Sequence, residues 1–166
     1  MLRKLGDRRY NHKQYNNAIG FYKQINHTKD ADISGKIAYC HAATGKYDIA
    51  LREAQAAYMI DQSAAKEAIK TSYLLYYLKE DWENVKIWTD KYTSIDPSDA
   101  QAYYVHAIAL YHLSKVDESQ NSYLEGLKID QQNNTTSTGK IEYESLANEK
   151  TGNKSLSKYT ENSELT

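Results

Sequence analysis

The feature that most constrains this chain is a repeat, because an Ile-Asp pair occurs three times at nearly constant spacing. The isoleucines of these pairs are separated by 35 and 34 residues and are Ile60, Ile95 and Ile129. A polar turn precedes each pair, and the turns contain Lys46-Tyr47-Asp48, Asp81-Trp82-Glu83 and Lys115-Val116-Asp117. Self-similarity at a period of roughly 20 to 50 residues is typical of stacked arrays, in which each unit buries its apolar face against its neighbours.

The repeating units are expected to be helical. Apolar residues recur at helical spacing, and the 166 residues include one proline and seven glycines. Both observations favour an all-α chain. The clearest copy is Ala100–Asn134, which is typical of two amphipathic helices joined by a turn at Ser114–Asp117.

The period divides the chain into four units, 1–30, 31–64, 65–98 and 99–133. Asp32 or Ser34 is expected to cap the first helix of the second unit, since short side-chain oxygens accept from the first amides of a helix. From Gln131 to Gly139 the chain is too polar to bury and is interpreted as a linker or frayed end. Residues 134–150 are therefore a linker followed by a candidate capping helix, with Ile141, Leu146 and Tyr143 directed inward. Residues 151–166 form a polar tail that is expected to be flexible.

Charge and composition exclude several functional classes. The net charge is −1, so no general excess of basic residues points to nucleic acid or a membrane surface. Residues 1–30 are locally basic, as a cleaved targeting peptide would be, but repeat-like residues begin already at Leu5-Gly6, which favours a solvated first repeat. Tyr10 and Tyr15 among these basic residues give only thin support for nucleic-acid binding, which is disfavoured because no basic stripe continues into the later repeats. No apolar run approaches the ~18 residues of a membrane span. A single cysteine, Cys40, favours a reducing compartment, and we expect a cytoplasmic protein.

The sequence predicts no enzyme active site. The five histidines are scattered, and the adjacent Cys40 and His41 point about 100° apart on a helix, which does not make a nucleophile–base pair. Neither a glycine-rich phosphate loop nor a set of carboxylates at metal-binding spacing is present. We therefore expect no catalytic residue, no metal site, no cofactor and no small-molecule substrate.

The units resemble the tetratricopeptide repeat. Leu5-Gly6 and Ile37-Ala38 match the Leu-Gly step of its first helix. The residue that follows each turn, aromatic in three units, is Tyr15, Tyr47, Trp82 or Val116, and the small-residue position after it holds Ala18, Ala50, Val85 or Ser119. Tyr22 and Tyr123 supply the late aromatic of the second helix, and Pro97 supplies the closing proline. Val85, Thr89 and Tyr92 depart from the pattern, which leaves the local packing of the third unit open.

The resemblance implies a right-handed superhelical solenoid of helix-turn-helix repeats, in which the first helix of each unit lines a concave groove. It places eight residues as partner-binding positions of that groove: Tyr39, Lys70, Leu74, Tyr77, Tyr104, Ile108, Tyr111 and His112. Relatives that capture the acidic tail of a chaperone use a cationic clamp across three repeats. In either possible register this chain lacks that clamp, since Arg3, Asp7, Lys36, Glu67 and Thr71 occupy the first set of positions.

These features predict a non-enzymatic adaptor that binds a peptide or protein segment in the concave groove. Tyrosine suits such a surface because it combines a large contact area with a hydroxyl. The alternative is an architectural subunit of a larger assembly or homo-oligomer that uses its convex face and its ends. Trp88 and Tyr92, on the second helix of the third unit, suggest this alternative.

Overall fold

The computed structural model describes residues 1–149, and every regular element in that range is helical. The expected flexible tail, 151–166, and Lys150 at the end of the candidate capping segment lie outside the described residues. The α-helices are α1 Leu2–Asn11, α2 Tyr15–Tyr22, α3 Ala31–Ala43, α4 Tyr47–Ile60, α5 Lys66–Leu78, α6 Trp82–Ile95, α7 Ala100–His112, α8 Val116–Asn133 and α9 Thr138–Glu149. A short 3-10 turn, His27–Lys29, precedes α3. The chain forms two compact units, the first of Met1–Asp96 and the second beginning at Pro97.

The same backbone conformation closes the first helix in each of four helix pairs. Lys13, Gly45, Glu80 and Ser114 follow α1, α3, α5 and α7, and all have a positive φ, between 55° and 78°. Only one of these residues is glycine, which adopts this left-handed conformation without steric cost. The turn is thus a repeated structural feature even though its residues differ.

The start of α3 differs from the sequence prediction. Asp30, rather than Asp32 or Ser34, is the N-cap, and its carboxylate accepts a hydrogen bond from the Ile33 amide at 3.0 Å. Asp32 lies within the first turn and pairs instead with Arg3 and Lys36. The prediction placed the N-cap too late in the chain, because a 3-10 turn at 27–29 leads directly into α3.

Small residues allow the helices of the first unit to pack closely. Ala18, Ala38, Ala50 and Ala57 are fully buried. A Cβ atom added at Gly6 of α1 would lie 2.5 Å from Cε1 of Tyr22 in α2, so the tyrosine ring occupies the space that the glycine leaves. The packing of the Tyr22 ring against Gly6 brings α1 and α2 into close contact.

The third helix pair replaces small residues with a pair of aromatic rings. Tyr73 of α5 and Tyr92 of α6 meet edge to face, with ring centroids 5.5 Å apart. Trp88 and Tyr92 are 8% and 1% exposed. The interpretation of these two residues as an outer interaction surface is therefore wrong, because both are core residues of the first unit.

The second unit contains α7, α8 and α9. Helix α8 ends at Asn133 and so includes Gln131, which the sequence predicts to lie in a linker or frayed end. Asn134 follows in a left-handed conformation, with φ 51°. Helix α9 forms where a capping helix was expected, but its inner face is Gly139, Tyr143 and Ala147. Ile141, expected to point inward, is 63% exposed. The inward residues are spaced four apart, so they form one stripe along α9.

Candidate functional site

The first helices of the first unit present one side-chain face, which we call the first-helix face. It comprises residues from α1, α3 and α5: Arg3, Asp7, Tyr10, Asp32, Lys36, Tyr39, Glu67, Lys70, Leu74 and Tyr77. Contacts between helices place these residues together. Lys36 Nζ lies 2.9 Å from the Asp7 carboxylate, and the rings of Tyr10 and Tyr39 have centroids 5.5 Å apart.

Three tyrosines form a cluster at one end of this face. Tyr15, at the start of α2, lies 6.2 Å from Tyr10 and 5.8 Å from Tyr39, measured between ring centroids, and all three side chains are half-buried. Burial, followed by a hydrogen bond with Tyr15, raises the pKa of Tyr39 to about 12. Burial and the neighbouring Glu67 carboxylate raise the pKa of Tyr10 as well. Both hydroxyls therefore remain protonated at neutral pH, and each forms a hydrogen bond within the chain, Tyr39 with Tyr15 and Tyr10 with Glu67.

The charges on the face neutralise one another. Arg3 contacts Asp30 and Asp32 at 3.0 and 2.7 Å, and Lys36 contacts Asp7 and Asp32 at 2.9 and 3.1 Å. Burial alone would raise the pKa of Asp7, but hydrogen bonds from Lys36 and Tyr22 hold it below its usual value. Arg3 and Lys36 are thus already bound to carboxylates of this chain, which agrees with the sequence argument against capture of an acidic tail.

The α5 part of the face carries three of the predicted partner-binding residues. Lys70, Leu74 and Tyr77 are half-buried, as is Tyr39 of α3. The Lys70 Nζ lies 5.7 Å from the centroid of the Tyr92 ring, and the Tyr77 ring meets Trp82 edge to face at 5.4 Å. These contacts hold Lys70 and Tyr77 in place while part of each side chain remains accessible.

The other four predicted residues belong to the second unit, and the structure places three of them in its core. Tyr104, Ile108 and Tyr111 are 0%, 2% and 8% exposed. His112 is exposed. The expectation that the first three line an open groove is therefore corrected.

The reason is the packing of α8 and α9 around α7. Cβ atoms added at Gly126 and Gly139 would lie 2.8 and 2.7 Å from Tyr104, so the tyrosine fills the space that both glycines leave. The Tyr111 ring lies 6.3 Å from Tyr143 of α9. The sequence signal for this packing is the four-residue spacing of Gly139, Tyr143 and Ala147. The polar residues that precede them make that spacing hard to recognise.

The described residues contain no obvious catalytic arrangement. Within 1–149, no group of three His, Cys, Asp or Glu side chains gathers as ligands for a metal ion. The Cys40 thiol is fully buried, and burial raises its pKa to about 12. A thiol with such a pKa remains protonated and is a poor nucleophile at neutral pH.

In the described part of the chain, no helix combines the length and hydropathy that crossing a membrane requires.

Among the comparisons with known proteins, the comparison with solved structures supports the fold. No protein-family model matches the chain, and no curated protein matches it significantly. A crystal structure of MamA is similar over 80% of this chain and 78% of that one, with a TM-score of 0.69 and 19% sequence identity. The structure of a MamA mutant gives a TM-score of 0.66 at 16% identity, over 77% of this chain and 75% of that one.

A third structure, described as MamA MSR-1 C2, gives a TM-score of 0.64 at 15% identity and covers 77% of this chain and 74% of that one. These structures are TPR-like helical solenoids. Likeness at this level of identity concerns the fold alone. The prediction of an all-α chain built from TPR-like helix-turn-helix repeats is confirmed.

Proposed function

We propose that this chain is a non-enzymatic interaction module that holds a peptide or protein segment on the first-helix face of its first unit. The observation that carries the proposal is the half-exposure of aromatic and aliphatic side chains, Tyr39, Leu74 and Tyr77, on helices that are otherwise well packed. Partly exposed tyrosines held by neighbouring rings make good anchors, because little conformational freedom is lost when a partner covers them. Partner binding by the buried Tyr104, Ile108 and Tyr111 is not part of this proposal.

The charges of the face indicate what kind of segment it suits. Arg3, Lys36 and Lys70 are balanced by Asp7, Asp32 and Glu67, so the face has no net charge. Such a surface favours a segment with apolar or aromatic anchors over a strongly acidic or basic one. An amphipathic helix or an extended peptide would meet this requirement. A cytoplasmic location belongs to the same proposal and is supported by the single, buried cysteine.

Partner capture by matched variants tests the proposal. The site variant replaces Tyr39, Leu74 and Tyr77 with alanine. The control variant replaces Tyr47 of α4 and Ile87 of α6, which are 47% and 46% exposed and lie on second helices. Each tagged protein is used to recover partners from cells of the source organism, and circular dichroism checks its helical content.

We expect the site variant to lose recovery by about tenfold or more, because truncation of several anchors costs upward of ~1.4 kcal/mol. The control variant should recover the same proteins as the wild type. Equal recovery by the site variant, with helical content intact, would show that the partner binds elsewhere.

A second candidate function is an architectural subunit, and exposed apolar side chains favour it. Met59 of α4, Leu78 of α5 and Ile141 of α9 are 79%, 65% and 63% exposed. Sedimentation velocity over a wide concentration range tests for self-association. An architectural homo-oligomer should dissociate when Met59 and Leu78 are replaced with serine, whereas a wild-type chain that is monomeric throughout would contradict self-assembly.

A further inference from the structure

A cavity of about 240 Å³ lies within the first unit, where the 3-10 turn at 27–29 meets α3 and α4. Helix α2 has 8 residues, whereas α4 and α6 each have 14, and the chain after α2 forms this turn instead of further helix. Ile37, Ala56 and Ile60 supply apolar walls. The cavity is larger than the roughly 150 Å³ cavity that holds benzene in an engineered protein, so it can accommodate a small organic molecule.

The uncharged polar groups around the cavity offer acceptors, because their hydrogens are used elsewhere. The Thr28 hydroxyl donates to Asn26 Oδ1 at 3.1 Å, and the Ser34 hydroxyl donates to the His27 carbonyl oxygen. The Nδ1 of His27 lies 3.2 Å from the Ile25 carbonyl oxygen. A carbonyl oxygen can only accept, so Nδ1 carries a hydrogen, and in the neutral form of an imidazole with that hydrogen Nε2 is an acceptor.

The one acidic side chain that lines the cavity is Glu53. Its Oε2 atom is buried and makes no hydrogen bond, and it lies 3.5 Å from Nε2 of His41, its one ion-pair partner within residues 1–149. His41 is 6% exposed, and neither of its ring nitrogens has a hydrogen-bond partner. Burial lowers the pKa of His41, although Glu53 opposes the shift, so the imidazole is neutral at neutral pH. The negative charge of Glu53 is therefore not balanced by His41.

We propose that this cavity binds an ammonium group carried on a hydrocarbon stem. An ammonium group has three donors and no acceptor, which complements a lining of acceptors. Its charge complements Glu53, and its stem would lie against Ile37, Ala56 and Ile60. A carboxylate of the same length would be repelled by Glu53, and an alcohol would supply a single donor. The ammonium can come from a free alkylamine or from a lysyl side chain, since both have this chemistry.

Calorimetric titration of the full chain with n-hexylammonium tests the proposal, with hexanoate and 1-hexanol as probes of matched length. We expect saturable binding of one n-hexylammonium per chain and none of hexanoate. Glu53→Gln preserves the shape of the side chain and should weaken n-hexylammonium binding about tenfold or more, because a charge-assisted hydrogen bond becomes a neutral one. Glu83→Gln, at an exposed carboxylate of α6 outside the cavity, is the matched control and should bind as the wild type does.

A second variant keeps the test decisive if Glu53→Gln folds poorly. Ala56 is an exposed residue of the lining, so Ala56→Phe blocks the cavity without crowding the core and should abolish binding. Chemical shift changes in an amide correlation spectrum should concentrate at Ser34, Ile37 and Ile60.

Two results would overturn the proposal. One is the absence of saturable n-hexylammonium binding to the wild type. The other is binding that is unchanged in both Glu53→Gln and Ala56→Phe. Titration with Nα-acetyl-lysine methylamide separates the two sources: binding of both amines supports a lysyl side chain, whereas binding of n-hexylammonium alone supports a free amine.

Discussion

The carboxylate of Asp130 is expected to hold the second unit together, and Asp130→Asn tests this. Asp130 is 4% exposed and lies near the end of α8. Its Oδ2 accepts from the Tyr104 hydroxyl at 3.0 Å and from the Ser137 amide at 2.9 Å. Its Oδ1 accepts from the Thr135 and Ser137 hydroxyls at 2.9 and 2.8 Å. One charged group thus joins α7, α8 and the loop that leads into α9.

The magnitude follows from these four bonds. An asparagine would place its oxygen towards the fixed Ser137 amide and its NH2 group towards the two hydroxyls, which can rotate to accept. The contacts then survive without their charge, and a charged hydrogen bond contributes about 0.5–1 kcal/mol more than a neutral one. We therefore expect Asp130→Asn to lower the free energy of unfolding by about 2–4 kcal/mol. Tyr104→Phe removes one bond and should cost about 1 kcal/mol.

The pKa of Asp130 gives the expected pH dependence. Burial would raise this pKa, but the hydrogen bonds from Ser137, Thr135 and Tyr104 hold it below 3.8, its value in an unfolded chain. A group whose pKa is lower in the folded state stabilises the protein above the unfolded value and loses that effect as the pH falls through the folded value. The stability difference between wild type and Asp130→Asn should therefore be constant above about pH 5 and shrink below about pH 4.

Urea unfolding followed by circular dichroism measures the loss, and hydrogen exchange of peptides from 131–149 localises it to the second unit. For a unit of this size, the expected loss corresponds to a melting temperature lower by about 10–20 °C. Glu125→Gln, at an exposed carboxylate of the same helix, is the control and should change stability by less than about 0.5 kcal/mol. If Asp130→Asn cost no more than this control, Asp130 would not hold the unit together.

Two further predictions concern the first unit. Gly6→Ala should destabilise it by about 1–2 kcal/mol, because the new Cβ would lie 2.5 Å from the buried Tyr22 ring. Gly20→Ala should stabilise it by up to about 1 kcal/mol, because nothing lies within 4 Å of the new Cβ. Denaturant unfolding of both variants measures this difference in sign, and equal effects would contradict the packing argument. Cys40 should not react with a thiol reagent at pH 8 until denaturant is added, because it is 0% exposed and burial raises its pKa to about 12; rapid absorbance change in the native protein would show that the thiol is accessible.

The fold could be predicted from the sequence because its period is local. Each helix pair is specified within about 34 residues by a turn, by small residues at the crossing and by apolar spacing. The left-handed turn position shows how far this local information extends. Gly45 signals the conformation directly, whereas Lys13, Glu80 and Ser114 adopt it without a glycine. At those three positions the repeat context, rather than the residue type, identifies the turn.

The candidate site was less predictable, because exposure depends on which element packs beside a helix. Tyr77 and Tyr111 occupy equivalent positions near the ends of α5 and α7, yet Tyr111 is buried and Tyr77 is half-exposed. Helix α9 makes the difference for Tyr111, since it brings the Tyr143 ring to 6.3 Å from the Tyr111 ring, measured between centroids. The sequence of α7 alone does not specify which of its residues α9 covers. The inner face of α9 depends in turn on which row of its side chains packs against α7.

Three of the buried tyrosines share an arrangement that the composition did not reveal. The hydroxyls of Tyr22, Tyr104 and Tyr123 donate to the carboxylates of Asp7, Asp130 and Glu144. Tyr22 and Tyr104 also fill space left by glycines.

A buried hydroxyl requires a partner, so each of these acids explains why the position holds tyrosine rather than phenylalanine. The abundance of tyrosine is therefore partly a property of the core and does not by itself indicate a binding surface. Tyr39 differs from these residues, because its ring is half-buried and its hydroxyl forms a hydrogen bond with Tyr15 rather than with a carboxylate. This contrast, rather than residue type, is what directs the partner-binding proposal to the first-helix face.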